Sequence, residues 1–227
     1  MDLLALDVST KPGWAFFKDK KLVRYGTMFA DKEAKDFPFP YPFNFICLAE
    51  HITGRLCREI LDPCLIECGN LKVIIEETNP GRNVYSQKKL EFIHYSLIKM
   101  LDVRKVCPIY IRDGSWKNAV GARQNAEEKK RNAQISRYKK KNDSKLAKLD
   151  LDGSGKLKVV GKLSDKHYAI RAFKEHFGIQ LKREEEDAAD AALIGLGYML
   201  GVPICNGTDN DTHTKEYLER MQAKGSK

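Results

Sequence analysis

Leu3-Leu4-Ala5-Leu6-Asp7-Val8, then Ser9-Thr10-Lys11-Pro12-Gly13, then Trp14-Ala15-Phe16-Phe17: the reading of this stretch decides the fold. The first run is short and apolar and closes on an acid, which reads as a buried strand. Pro12-Gly13 punctuates a turn. Residues 14–17 restart as a second strand and residues 22–28 make a third. Three strands with tight connections form an antiparallel meander.

Outward from the meander, Pro38, Pro40 and Pro42 stand among aromatics, and proline continues neither a helix nor a central ladder. This is a rigid, extended connection. Ile46, Ala49, Ile52, Leu56 and Ile60 predict a helix over 44–65. Residues 72–75 read as a buried strand ending in Glu76-Glu77, broken by Asn79-Pro80-Gly81. From Val84 onward, Leu90, Ile93, Leu97 and Leu101 have helical spacing. A strand at 106–111 and a short helix at 115–120 follow. Ser164 is placed to cap a helix reaching 177, with Tyr168, Ala169, Ala172 and Phe173 facing inward. Residues 184–200 form the last core helix; from Asn206 the tail is polar, with a short helix at 214–222. Meandering strands followed by βα units predict an α/β fold: a mixed sheet with helices on both faces. The expected organisation is one domain over 1–205, carrying an insertion at about 122–162, and a C-terminal tail at 206–227.

The chain has 227 residues, 42% hydrophobic and 31% charged, enough for a packed core. No apolar run approaches the ~20 residues that span a bilayer. The acid-bearing start does not read as a signal peptide, so a cytoplasmic location and no membrane partner are expected. Cys57, Cys64 and Cys68 lie close together near His51, but their spacing matches no common structural zinc site, and the cysteines read as small apolar residues. Charge is unevenly placed. Residues 122–162 carry 13 Lys or Arg against 5 Asp or Glu, so +8 of the net +9 resides there. A local basic device of this kind points to a polyanion, nucleic acid first. Within it, Arg131, Arg137, Lys139, Lys140 and Lys141 are the expected phosphate contacts, and Lys11, Arg82 and Arg123 are further candidates.

Four carboxylates carry the chemistry. Asp7 closes the first strand and Glu76 the fourth; Asp187 and Asp190 lie three apart at the start of the last helix and so face the same way. A carboxylate at the end of a buried strand is costly unless it is paired or binds metal. Ligands of open sheets gather at strand ends. Hard oxygen donors suit Mg²⁺, with Mn²⁺ as substitute. Two such ions per site can clamp the attacking and leaving oxygens of a phosphodiester, and several acids are needed to hold two dications close together. The expected chemistry is metal-dependent phosphodiester hydrolysis.

These residues resemble the RuvC family of Holliday junction resolvases, phage-type members in particular. Leu4-Ala5-Leu6-Asp7-Val8-Ser9 with Gly13-Trp14-Ala15 looks like the family's first strand and turn. Ile74-Ile75-Glu76-Glu77 looks like its second acidic strand. Tyr110-Ile111-Arg112, running to Lys117-Asn118-Ala119-Val120-Gly121, is similar to its fifth strand and the segment beyond. Asp187-Ala188-Ala189-Asp190-Ala191 looks like its most diagnostic helix. The resemblance implies an RNase H-like fold and metal-ligand positions at Asp7, Glu76, Asp187 and Asp190. Glu77 is a poorer candidate than Glu76, because strand neighbours point to opposite faces. It also implies a basic residue near DNA at Lys117, a homodimer formed through the helix from Val84 to Leu101, and paired nicking of four-way junction DNA, in a host cytoplasm if the protein is phage-encoded. The insertion departs from the family's shorter basic loop and suggests additional grip on the DNA backbone, which gives affinity rather than base specificity.

Other readings remain. A related nuclease could act on flaps, forks or RNA–DNA hybrids. A non-catalytic nucleic-acid-binding protein would not need all four acids. A sugar-kinase or actin-like ATPase needs a second, glycine-rich phosphate hairpin and a longer chain, and neither is present.

Overall fold

The computed structural model describes residues 1–29, 38–78, 83–137 and 163–205, and the backbone alone of 138–141, 148–149 and 158–159. The meander forms as the sequence predicts: β1 (Asp2–Asp7), β2 (Gly13–Lys18) and β3 (Lys21–Thr27) pair antiparallel. β4 (Leu71–Glu76) joins β1 in parallel, and β5 (Ile109–Ile111) joins β4 in parallel. The sheet order is β3-β2-β1-β4-β5, the expected mixed sheet.

Alternation along the strands divides the core into two layers. Leu4, Leu6, Phe16, Val73 and Ile75 face α1 (Phe43–Leu56) and α3 (Val84–Val103), meeting Ala49, Ile52, Ile93 and Leu97. Leu3, Ala5, Ala15, Phe17 and Ile74 face α6 (Asp165–Phe177) and α7 (Glu186–Met199). By the same alternation Asp7, Gly13 and Glu76 fall on the α7 face.

Several elements differ from their sequence-based bounds. The helix expected over 44–65 is interrupted: α1 gives way to a π-helical turn at Cys57–Leu61 before α2 (Asp62–Glu67). Pro63 has no N–H to continue the α-helical ladder, and a widened turn absorbs the defect. Cys57, Cys64 and Cys68 are buried in the α1/α3 layer as small apolar residues. The strand expected at 106–111 is only β5, and α4 starts early, over Asp113–Ala119. The last helix opens with a 3₁₀ turn at Arg183–Glu185. Ser164 sits at the N-cap of α6, but its hydroxyl makes no cap bond; its carbonyl instead accepts from the His167 and Tyr168 N–H groups. Tyr168, Ala169, Ala172 and Phe173 face inward as expected. The 206–227 tail and its expected helix lie outside the described residues.

The basic insertion starts as a helix, α5 (Ala126–Lys141), and the short strands β6 (Lys148–Leu149) and β7 (Lys158–Val159) pair antiparallel beyond it. Its base is anchored by polar groups. The Asn125 N–H donates to Glu128 at 2.9 Å and the Glu128 N–H donates back to Asn125 at 2.9 Å, a reciprocal cap. Buried Glu128 also accepts from Arg171 of α6 at 3.0 Å. Asn132 grips the returning chain, donating to the Leu163 carbonyl at 3.0 Å and accepting from the Leu163 N–H at 2.9 Å. The entry and exit of the insertion are therefore pinned together on α6.

Helix α7 lies unusually close to the sheet because its face is made of small residues: Ala188, Ala189, Ala191, Ala192, Gly195 and Gly197 are buried. Gly13, expected as turn punctuation, opens β2 and has a steric role. A Cβ there would lie 1.8 Å from the Asp187 carbonyl oxygen. Gly13→Ala must therefore push α7 away, and we expect a loss of about 1–3 kcal/mol, as for other overpacked sites. Thermal melting checks this; an unchanged melting temperature would mean that the helix moves freely.

Candidate metal centre at the sheet edge

The parallel register of β1 and β4, running from Asp2↔Leu71 to Leu6↔Ile75, brings Asp7 and Glu76 to one end of the sheet on neighbouring strands. The α7 main chain over Gly13 then carries Asp187 and Asp190, one turn apart, onto the same end. The four acids named from the sequence thus come together.

Their electrostatics reflect the crowding. Burial, then the Glu76 and Asp187 carboxylates, push Asp7 up to about 8. Burial also raises Glu76 to about 8, with Asp113 and Asp190 adding to the rise and Lys117 opposing it. Asp190 rises to about 8 through burial and the charge of Asp7. Asp187 is raised by burial, while Lys166 and Lys11 pull it back. Four negative charges cannot coexist here without a nearby cation.

The protein supplies one cation itself. Lys117 projects from α4, immediately after β5, and is mostly shielded from solvent, with an ion pair to Asp113 one turn earlier. Burial works against its charge, but Asp113, Glu76 and Asp190 outweigh that and raise its pKa. Asp113 is a fifth acid that the sequence reading missed. It follows the end of β5 as Asp7 and Glu76 close their own strands, and it hydrogen-bonds to Glu76, so the same strand-end logic would have found it. Glu77 points elsewhere and pairs with Arg112 at 3.5 Å.

On the Asp187 side lies an open cleft of about 450 Å³, lined by Ser9, Thr10, Lys11, Phe29, Lys166, Arg183, Glu184, Glu186 and Asp187. Glu186 is buried and ion-paired to Lys166, a second pair missed in the sequence. Of the other basic candidates, Lys11 borders the cleft, and Arg123 lies 3.9 Å from Asp113. Arg137 is exposed on α5, whereas the Arg131 Nε is buried without a partner. Arg82 and the side chains of Lys139, Lys140 and Lys141 lie outside the described residues.

A divalent cation fits these residues chemically. The donors are hard oxygens, burial and neighbouring carboxylates raise their pKa values in a way a cation would oppose, and Asp190 Oδ1 is buried with no hydrogen-bond partner. Among the described residues, no group of three or more acids, histidines or cysteines stands close enough together to hold a metal ion as placed. Lys117 and Asp113 stand beside the acids as an internal ion pair.

The raised values have a definite consequence. Ordinary carboxyls titrate near 3.8 and 4.5, and these three near 8, so at intermediate pH the folded state holds protons that the unfolded state has released. The associated stability is complete below about pH 4 and is lost as pH climbs through about 8. In chelator, the melting temperature should fall between about pH 5 and about pH 9, and Asp190→Asn should melt higher than wild type at about pH 8. A flat profile for both proteins would refute the buried acidic cluster.

No protein-family model matches this chain, and no curated protein sequence matches it. Solved structures do. RuvC from Thermus thermophilus in complex with a Holliday junction substrate superposes with TM-score 0.53 at 12% identity, covering 88% of this chain and 94% of that one. A second structure of Thermus thermophilus RuvC gives TM-score 0.51 at 13% identity, covering 88% of this chain and 94% of that one. The yeast mitochondrial Holliday junction resolvase Ydc2 is also matched, with TM-score 0.41 at 14% identity over 87% and 78%. The five-stranded mixed sheet with its flanking helices is a RuvC-like, RNase H-type fold.

Proposed function

We propose that the chain is a divalent-metal-dependent DNA endonuclease selective for branched substrates, with four-way junctions as its principal target. One observation carries this reading: Asp7 and Glu76 end two adjacent strands, and α7 brings Asp187 and Asp190 to the same sheet edge, so the four form a buried acidic cluster. The RuvC-like fold supports it, since one neighbour carries a Holliday junction substrate.

In this reading the four carboxylates hold Mg²⁺, or Mn²⁺ in its place, at two positions. The bound ions supply Lewis-acid stabilisation of phosphodiester charge and a more acidic attacking water. Asp113 keeps Lys117 directed into the cluster, where its ammonium offsets part of the carboxylate charge and attracts a phosphate. Lys11 and Lys166, beside Asp187, line the cleft through which a DNA backbone would run. Paired nicking needs two sites. Val84, Tyr95 and Ile98 are exposed on α3 and fall within an arc of about 60° around the helix, an apolar stripe suited to a second copy. The arm built on α5 adds contacts to phosphates through Arg137, Lys139, Lys140 and Lys141.

Incubating the protein and Mg²⁺ with a four-way junction, a fork, a flap, a linear duplex and an RNA–DNA hybrid tests the reading. Symmetric paired nicks in the junction are expected, with Asp7→Asn cutting at least about a thousandfold more slowly while still binding. Equal cutting of linear duplex would remove the junction claim, and preferred cutting of forks, flaps or hybrids would favour a related nuclease. Replacing Arg137, Lys139, Lys140 and Lys141 together with glutamine should lower the slope of log affinity against log salt by about three to four. An unchanged slope would take the arm off the DNA.

A further inference from the structure

Arg171 of α6 has no place in the metal centre, yet all three of its nitrogens donate inside the protein. Nε and Nη2 reach buried Glu128 at the root of the basic arm, at 3.0 and 3.4 Å. Nη1 reaches both oxygens of Glu175, one turn along α6, at 3.1 and 3.2 Å. Nη2 also reaches two main-chain carbonyls, Gly121 at 3.2 Å and Arg123 at 2.8 Å. The side chain is only 22% exposed. A planar fork of fixed donors suits such a junction, and a lysine ammonium does not.

The two carbonyls belong to the turn that joins α4 to the arm. Gly121 takes the left-handed conformation there, at φ 69°, and lets the chain leave α4. Between the two gripped residues, the N–H of buried Ala122 donates to the Lys117 carbonyl at 2.9 Å. The Arg123 side chain turns back onto α4, donating to Asn118 at 3.2 Å and standing 3.9 Å from Asp113. His176 of α6 adds a bond to the Val120 carbonyl at 3.0 Å. Helix α6 thus holds the turn by three carbonyls, and the turn holds α4 at Lys117, Asn118 and Asp113. An unbroken run of bonds leads from the arm's root to the ion pair beside the acids.

We infer that Arg171 is a positioning residue: from the root of the arm it fixes the 121–123 turn, and through that turn the place of the Lys117–Asp113 pair against the acidic cluster. Glu128 and the turn share one guanidinium, so the arm's origin and the Lys117 ammonium keep one separation. A DNA backbone gripped by the arm is then presented to the acids at a fixed distance, and small misplacements at a reacting centre cost large factors in rate. The catalytic part of this inference rests on the nuclease reading.

The test compares the full chain with Arg171→Lys, which keeps a charge beside Glu128 but cannot also hold both carbonyls. Arg171→Gln/Glu128→Gln, which removes the buried charge with its partner, serves where Arg171→Lys does not fold. The first readout is amide exchange without metal or DNA. Exchange at Ala122 should rise about tenfold or more, with β1 unchanged. Unchanged Ala122 exchange, or an equal rise throughout the chain, overturns the inference. The second readout is single-turnover cleavage of a four-way junction at saturating protein with Mg²⁺. The rate should fall about tenfold or more, with the salt slope of binding unchanged. In an Asp113→Asn background the same change should cost less than about threefold, because both act through Lys117. Asn132→Ala, which loosens the arm's other anchor, should lower the melting temperature and leave the saturated rate unchanged. A loss confined to affinity, full multiplicative loss with Asp113→Asn, or an equal loss in Asn132→Ala overturns the inference. Raised Ala122 exchange in a protein that cuts no DNA would sink the nuclease reading alone.

Discussion

The α7 main chain resting on Gly13 is the constraint on which both core and site depend. With any side chain at that position, a Cβ would meet the Asp187 carbonyl at 1.8 Å. The approach continues along the helix, where Gly195 sits against Phe17 and Gly197 against Trp116. Small residues let the two main chains come together, and dense packing makes up for the side-chain volume that is absent. The same approach delivers Asp187 and Asp190 to the ends of β1 and β4, so the α7-side packing and the acidic cluster share one helix–sheet distance.

That arrangement sets stability against chemistry. Burying several carboxylates together is unfavourable, and the raised values at Asp7, Glu76 and Asp190 express that cost. Lys117 offsets part of it and is itself held by Asp113. In the proposed reading a bound cation would offset the remainder. Strain concentrated at a site while the rest of the fold is regular is a common mark of function.

The insertion follows a different logic. Its charge lies on a helix that buries little, yet its root is fixed by Glu128, Asn132, Tyr168 and Arg171, which close a polar network between α5, the returning chain at Leu163 and α6. A basic arm can add to affinity only as far as its origin is held in place; a freely hinged arm would lose ordering entropy on each encounter. The anchoring residues are uncharged or paired, so a count of charges does not reveal them.

Much was legible in the chain alone. Short apolar runs and turn residues specified the meander and β4 and put Asp7 and Glu76 at strand ends, because these are local features of the chain. The i, i+3 spacing of Asp187 and Asp190 is local as well. What could not be read locally was which groups approach from elsewhere. The steric role of Gly13, the placement of Lys117 and Asp113 within the cluster, the burial of Glu186 against Lys166, and the meeting of Tyr41 and Tyr85 across Phe45 all join residues far apart in sequence or turned by packing. The apolar spacing read as one helix through Pro63, and only the structure shows the π turn at Cys57–Leu61, with Ile60 and Leu61 in the core. The sequence by itself determined the strands and the acids at their ends, through local stereochemistry. Only the tertiary structure decided how near the acids stand, what balances their charge and which surfaces are left exposed, because those depend on distances between elements that no local pattern encodes.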